Sequence, residues 1–258
     1  MLFQLALTNR MQAEQLVLLQ TQVESVDDDV LANIGHELRT PLTIIQGLSE
    51  ILLDELGNGN LDADQHQDFL RQIHRASVAL GKLIETSIML TKINSGHLTL
   101  HMQPLNVAEA IERVISQYGE ELSAKELRVE ILTPSDLPLV WADGFCLELA
   151  LQALYDNAIK FNRPQGAITW RLWHEGDAVH VSVTDAGVGI PPEKLPSLFT
   201  VFGQLESGPT RRFGGLGLGL PLVHKLLENL GGDITAESQG VNAGATFTFT
   251  LKQAAVVS

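Results

Sequence analysis

The chain has 258 residues, 45% of them hydrophobic, so it can build one large domain or two ordinary ones around a packed core. Its formal charge of −14 excludes a broad nucleic-acid-binding surface, while leaving room for a nucleotide held locally through a metal ion and a few basic side chains. The single cysteine, Cys146, excludes an intrachain disulfide and points to a reducing compartment, and neither a run of about 18 apolar residues nor a signal-peptide pattern is present, so no membrane span is expected.

Residues 3–56 read as one long helix. Gln12, Leu16, Leu19, Val23, Val26, Val30 and Asn33 alternate steps of four and three, a heptad seam with polar entries. Asp27, Asp28 and Asp29 form a solvated face. The stretch from Asn33 to Leu42 follows, with His36, Glu37, Thr40 and Pro41 in it. Ile34 and Leu38 begin an apolar row that Leu42, Ile45 and Leu52 continue. His36 lies about 200° from Ile34 on a helix, so it points away from that row, and Thr40 falls on nearly the same face one turn on. Glu37 can reach the imidazole edge. A neutral histidine is a nucleophile near pH 7, and Pro41 is expected to bend the helix just beyond it.

Gly57 to Asn60 is a turn signal. A second helix is expected from an Asp62 N-cap to Asn94, with a seam of Phe69, Ile73, Ala76, Leu80, Leu83, Ser87 and Leu90. Two long antiparallel helices with one apolar stripe each bury little alone. Pairing two hairpins into a four-helix bundle solves this and predicts a homodimer.

Ser95-Gly96 ends the helical region and Pro104 marks a boundary. A helix is expected over 107–122, strands over 128–133 and 139–142, and a helix over 145–161 with Leu147, Leu151, Leu154, Ala158 and Phe161 on one face. Strands follow at 167–173 and 178–185, the second with Val179, Val181 and Val183 inward. A glycine-rich stretch opens a helix over 220–230, and strands near 233–238 and 245–251 close the chain. The order of helices and antiparallel strands predicts an α+β two-layer sandwich after the hairpin.

Four motifs in this second half have a nucleotide rationale. Asn157, near the end of its helix, offers a neutral oxygen suited to magnesium, and Lys160 can reach phosphate oxygens. Asp185-Ala186-Gly187-Val188-Gly189 follows a strand, where a carboxylate can accept from the exocyclic amine of adenine and the glycines let base and backbone come close. Phe199 and Phe202 are apolar anchors that frame a mobile loop. Gly215, Gly217 and Gly219 precede the helix that begins near Leu220-Pro221, and glycines there free backbone amides for phosphate; Arg211 and Arg212 stand just upstream. The Gly-x-Gly-x-Gly spacing and the polar loop before it reject a dinucleotide βαβ fingerprint. The Walker lysine pattern is absent.

With these residues in place, the chain resembles the transmitter core of a sensor histidine kinase. The stretch around His36 is similar to the H box of that family, the surroundings of Asn157 to the N box, Asp185-x-Gly187-x-Gly189 to the G1 box, Phe199 to Phe202 to the F box, and Gly215-x-Gly217-x-Gly219 to the G2 box. The resemblance implies a linker helix over 1–27, a dimerisation and phosphotransfer hairpin over 28–98, and an ATP-binding domain of the Bergerat type over 104–254. It further implies that His36 attacks the γ-phosphate of Mg-ATP, that Glu37 orients the imidazole as general base, and that Thr40 positions water when a partner is dephosphorylated. Asn157 would hold Mg2+, Lys160, Arg211 and Arg212 would hold phosphates, Asp185 would read adenine, and residues 203–214 would be a lid hinged on glycines. The implied partners are the receiver domain of a response regulator, docking beside Thr43, Gly47 and Leu48, a second copy of the chain, and an upstream sensor of unknown kind, in a cytoplasmic setting. A second asparagine, frequent in the family one turn before the magnesium ligand, is Ala153 here, which motivates the alternative of a nucleotide-binding scaffold with weak kinase output.

Overall fold

The computed structural model describes residues 38–54, 62–200 and 218–254. The chain divides into two compact units, Met1–Ser87 and Ile88–Ser258. The heptad seam at 12–33 and the turn at 57–60 lie outside the described residues.

Helix α1 occupies 38–54 and is continuous through Pro41. Helix α2, Ala63–Asn94, starts where a reciprocal cap satisfies its first turn. The Asp62 carboxylate accepts from the Gln65 backbone N–H at 2.8 Å, and the Gln65 side chain accepts from the Asp62 N–H at 3.1 Å. The predicted α2 seam is its covered face: Ala76 and Leu90 are buried, and Phe69, Ile73, Leu80, Leu83 and Ser87 are half-buried. The expectation of one apolar stripe per helix is too low. Leu70 and Ile88 are 58% and 51% exposed and Val78 and Ile84 are exposed with them, while Leu42, Ile44, Ile51 and Leu53 stand out on α1. Leu42, placed in the α1 row by its spacing, is therefore on an open surface. The period of the seam is legible in sequence; a second apolar row beside it blurs the pattern.

The second unit is a two-layer sandwich. Its main sheet runs β2 (Arg128–Leu132), β4 (Ala167–Glu175), β5 (Ala178–Asp185), β7 (Ala245–Lys252), β6 (Ile234–Glu237). All neighbours are antiparallel except β2 and β4, which are parallel, so the sheet is mixed. Ile168, Trp170, Val179, Val181, Val183, Phe247 and Phe249 line the buried face. Helices α3 (Val107–Ser116), α5 (Gly144–Lys160) and α6 (Gly219–Asn229) supply Ile111, Val114, Leu147, Leu151, Leu154, Leu222, Leu226 and Leu227 against it. Each such side chain contributes roughly 1.5–3 kcal/mol when buried.

Two boundaries differ from the sequence reading. The helix expected over 107–122 breaks at Gln117-Tyr118 and resumes as α4, Gly119–Ala124. Tyr118 turns into the core and meets Tyr155 edge-on, ring centroids 5.2 Å apart. A short strand β1, Met102–Leu105, pairs with β3, Val140–Asp143, placing Pro104 opposite Trp141. Proline is compatible with such a ribbon because an edge position needs no donor there.

Asp143 caps α5 by accepting from the Cys146 N–H at 2.9 Å, and its other oxygen accepts from the His101 N–H at 2.7 Å. Burial pushes this carboxyl up, but the backbone donors outweigh it and hold the pKa below its ordinary value. Its contribution to stability is therefore present above the unfolded pKa and is lost as pH falls through the folded one. Tyr155 Oη and Trp170 Nε1, by contrast, are buried with no hydrogen-bond partner among the described residues. Tyr155→Phe should accordingly leave stability unchanged or raise it by up to about 1 kcal/mol, read as the urea midpoint at constant m. A loss larger than that would reveal a bridging water on the hydroxyl.

Candidate functional site

Strand β5 ends at Asp185, and the turn beyond it is held by backbone from both sides. The Ala186 N–H donates to the Ala167 carbonyl, and Val188 N–H donates to the Phe161 carbonyl at 3.1 Å, just past the end of α5. On the other side the β6–β7 turn closes over it: Asn242 N–H donates to the Val188 carbonyl at 2.7 Å and Gly244 N–H to the Gly187 carbonyl at 3.2 Å. The glycines are required by this crowding. A Cβ on Gly187 would collide with the Phe161 carbonyl, and one on Gly189, where φ is +68°, with the Gly240 carbonyl. Gly244, φ +70°, has the same relation to the Asp185 carbonyl.

Inside this clamp Asp185 is 8% exposed. One carboxylate oxygen accepts from the Gly187 N–H at 2.8 Å. Burial raises its pKa, and the Gly187 and Ala245 backbone donors only partly pull it back. Protonated Asp185 is thus favoured by folding: that contribution is complete below the unfolded pKa and is lost as pH rises through the folded one. In its ionised form the carboxylate sits under-solvated, ready to accept a further donor.

Helix α5 supplies the other half of the site. Ala153, Asn157 and Lys160 are half-buried and, four and three residues apart, share one face. The Asn157 side chain makes no hydrogen bond among the described residues, which leaves its amide oxygen able to ligate. No cluster of three His, Cys, Asp or Glu side chains suited to a metal occurs among the described residues, so a cation here would take Asn157 plus ligand and water oxygens. That donor set fits magnesium. The Lys160 ammonium lies 4.9 Å from the Phe161 ring centroid. Lys125 reaches across to donate to the Ile159 and Lys160 carbonyls at 2.7 and 2.9 Å, bracing the helix end; its burial lowers its pKa.

Phe199 stacks on His224 of α6, centroids 5.7 Å apart, so a histidine that matches no motif has a packing role beside the predicted anchor. Gly219 is the first residue of α6, and Leu218 before it offers no side-chain cap to the helix amides. Thr40 is exposed on α1. His36, Glu37, Phe202, Arg211, Arg212, Gly215, Gly217 and the loop 203–214 lie outside the described residues. Sequence reasoning passed over Lys125 and the Ser238 to Gly244 turn; the latter carries a Ser, Gly, Asn and Gly run between strands that a turn search would flag.

Residues 142–255 match the family described as histidine kinase-, DNA gyrase B- and HSP90-like ATPases, and residues 27–96 match the His Kinase A (phospho-acceptor) domain. The chain belongs to the histidine kinases. It is 33% identical over 231 residues to the circadian input-output histidine kinase CikA of Synechococcus elongatus, spanning 89% of this chain and 30% of that protein. It is 36% identical over 224 residues to the aerobic respiration control sensor protein ArcB of Escherichia coli, spanning 86% of this chain and 28% of the other. The chain thus spans about a third of the length of the curated relatives it matches. Among solved structures it is similar to the Acinetobacter baumannii histidine kinase AdeS (TM-score 0.63, 27% identity, 85% of this chain and 98% of that one). Full-length ShkA in complex with AMPPNP is similar as well (TM-score 0.63, 25% identity, 88% and 46%). As in the sequence reading, a helical hairpin region is followed by an ATPase-type α/β domain. No helix among the described residues is long and apolar enough to cross a membrane.

The crowding at the Asp185 turn gives a direct test. Gly189→Ala should lower stability by about 2 kcal/mol, from strain at positive φ plus the clash with Gly240. Gly219→Ala meets open space among the described residues and should cost under about 1 kcal/mol. Thermal denaturation of both variants reads the difference, and equal losses would contradict the clamp.

Proposed function

We propose that this chain is an ATP-dependent protein histidine kinase that phosphorylates His36 and passes the phosphoryl group to an aspartate of a response-regulator receiver domain. The observation that carries the nucleotide half is the buried, under-donated Asp185 carboxylate in a glycine clamp that bonds to the end of α5, the helix that bears Asn157 and Lys160. Asp185 accepts from the exocyclic amine of adenine, with Gly187 and Gly189 admitting the base. Lys160, Arg211 and Arg212 contact phosphate oxygens, the amides opened by Gly215, Gly217 and Gly219 face the same charge, and Phe199 and Phe202 frame the segment between. Asn157 would hold Mg2+, which when bound offsets charge on the β- and γ-phosphates.

In the transfer step one imidazole nitrogen of His36 attacks the γ-phosphorus, the bond from the γ-phosphorus to the β–γ bridging oxygen breaks, and ADP leaves. Glu37 accepts a hydrogen bond from the other imidazole nitrogen and takes up its proton. The phosphoryl group then moves from His36 to the carboxylate oxygen of the receiver, and Thr40 orients water for hydrolysis of the receiver's acyl phosphate. The open rows on α1 and α2 support a homodimer formed by the hairpin of 28–98, with 104–254 as the ATP-binding domain and 1–27 as a linker from an upstream sensor. Receiver docking beside Thr43, Gly47 and Leu48 and a cytoplasmic setting belong to the same reading. Ala153, on the Asn157 face, favours a second reading in which nucleotide binds but transfer is weak.

Labelled ATP with Mg2+ should place phosphate on the wild-type chain that is labile to acid and stable to base, and His36→Gln should abolish it. Retained labelling of that kind in His36→Gln would overturn the assignment, and binding without transfer in the wild type would select the scaffold reading. Nucleotide affinity should also fall as pH drops through the raised pKa of Asp185, because the ionised carboxylate is a stronger acceptor for the adenine amine than the neutral acid. Asp185→Asn should weaken ATP at least tenfold and flatten that pH dependence, measured by calorimetric titration.

A further inference from the structure

The backbone ties that close the β6–β7 turn over the Asp185 turn depend little on side-chain identity. One tie is different. The Ser238 hydroxyl accepts from the Ile190 N–H at 2.9 Å, forty-eight residues away in sequence, and lies 2.6 Å from the Gly244 carbonyl and 3.3 Å from the Gly240 N–H and carbonyl. A hydroxyl has one proton and two lone pairs. The short contact assigns the proton to the Gly244 carbonyl, which leaves the lone pairs for the Ile190 and Gly240 amides. Ser238 is thus fully used, and it joins both ends of one turn to the far end of the other. Gly244, whose carbonyl it holds, is the residue whose α-carbon packs against the Asp185 carbonyl.

We infer that Ser238 is a positioning residue for purine recognition: its hydroxyl fixes the turn that aims Asp185, and so sets nucleotide affinity and base selectivity without touching the base. The inference rests on Asp185 as the adenine reader. Ser238 is the side chain of its own turn that bonds to the Asp185 turn, beside the Ala245 N–H from which the Asp185 carboxylate itself accepts, so removing this hydroxyl leaves the Ile190 amide unanswered and frees the Gly244 carbonyl. The backbone bonds keep the turns adjacent, but the aim of the Asp185 carboxylate loosens. A loosened carboxylate discriminates less between adenine, which offers it an amine, and guanine, which offers a carbonyl at the same edge.

The test uses the full chain with Mg2+ and measures affinity for ATP and for GTP by calorimetric titration, alongside thermal denaturation. Ser238→Ala should weaken ATP on the order of tenfold, weaken GTP less, and so shrink the preference for ATP, while Ser238→Thr restores both. ATP affinity within about twofold of wild type in Ser238→Ala overturns the inference. So does an equal loss for both nucleotides, which is what a merely structural role gives. Asp185→Asn run in parallel separates the layers: if it leaves ATP affinity intact, the adenine-site reading itself has failed. If it weakens ATP while Ser238→Ala does not, only the Ser238 role has failed. Should Ser238→Ala not fold, amide hydrogen exchange in the wild type decides, because the Ile190 amide should be protected well beyond an exposed loop amide, and free exchange there overturns the bond on which the role depends.

Discussion

The close approach of three backbone segments governs the second unit. The carbonyl of Phe161, the turn from Asp185 to Ile190 and the turn from Ser238 to Gly244 come within hydrogen-bond range of one another only because Gly187, Gly189 and Gly244 carry no Cβ. This packing buries Asp185 at the mouth of the sheet while giving it fewer donors than water would. Its raised pKa records that deficit. The same packing links the two halves of the site. Phe161 follows directly on Lys160, so the residue that accepts from Val188 also ends the helix that carries Asn157. Asp185 and the end of helix α5 are thereby held in one register by backbone hydrogen bonds.

The first unit meets a different constraint. A helix with one apolar stripe is satisfied by a single neighbour, but within this unit α2 has a covered seam through Ala76 and open positions at Leu70, Val78 and Ile84. Helix α1 adds Leu53, 66% exposed, and Ile51. At roughly 25 cal/mol per Å² of apolar surface removed from water, such rows favour association strongly. Burial within one hairpin leaves the second set unpaired, which is the physical basis for the proposed four-helix bundle.

How much of this was legible in the sequence depended on where each residue's partners lie. Strand β5 was read to its end residues, because Val179, Val181 and Val183 alternate without interruption and Asp185 closes the run. Helix α5 was read to within a residue at each end, from its apolar spacing. The helix after Val107 was read too long, since nothing local announces that Tyr118 turns inward to Tyr155. Strand β1 was missed because Pro104 reads as a breaker until a ribbon partner is known. In the site, Asp185 and its glycines announce themselves as a motif. Lys125 and Ser238 do not: one acts on carbonyls thirty-four and thirty-five residues ahead and the other on an amide forty-eight residues behind, and neither pairing leaves a trace in local pattern.

Lys125 also bears on how an acidic chain can hold a polyphosphate. With a net charge of −14 the protein as a whole repels such a ligand, so attraction has to come from charges placed at the site. The C-terminal end of a helix makes this harder, since its unpaired carbonyls amount to roughly half a negative charge. Helix α5 ends in that way beside Asn157 and Lys160. Lys125 places its ammonium on the carbonyls of Ile159 and Lys160, and its lowered pKa shows the desolvation this costs. Those carbonyls are therefore answered from another element of the fold. A lysine with no motif of its own thus offsets the negative end of the helix, which is what the proposed phosphate contact at Lys160 needs.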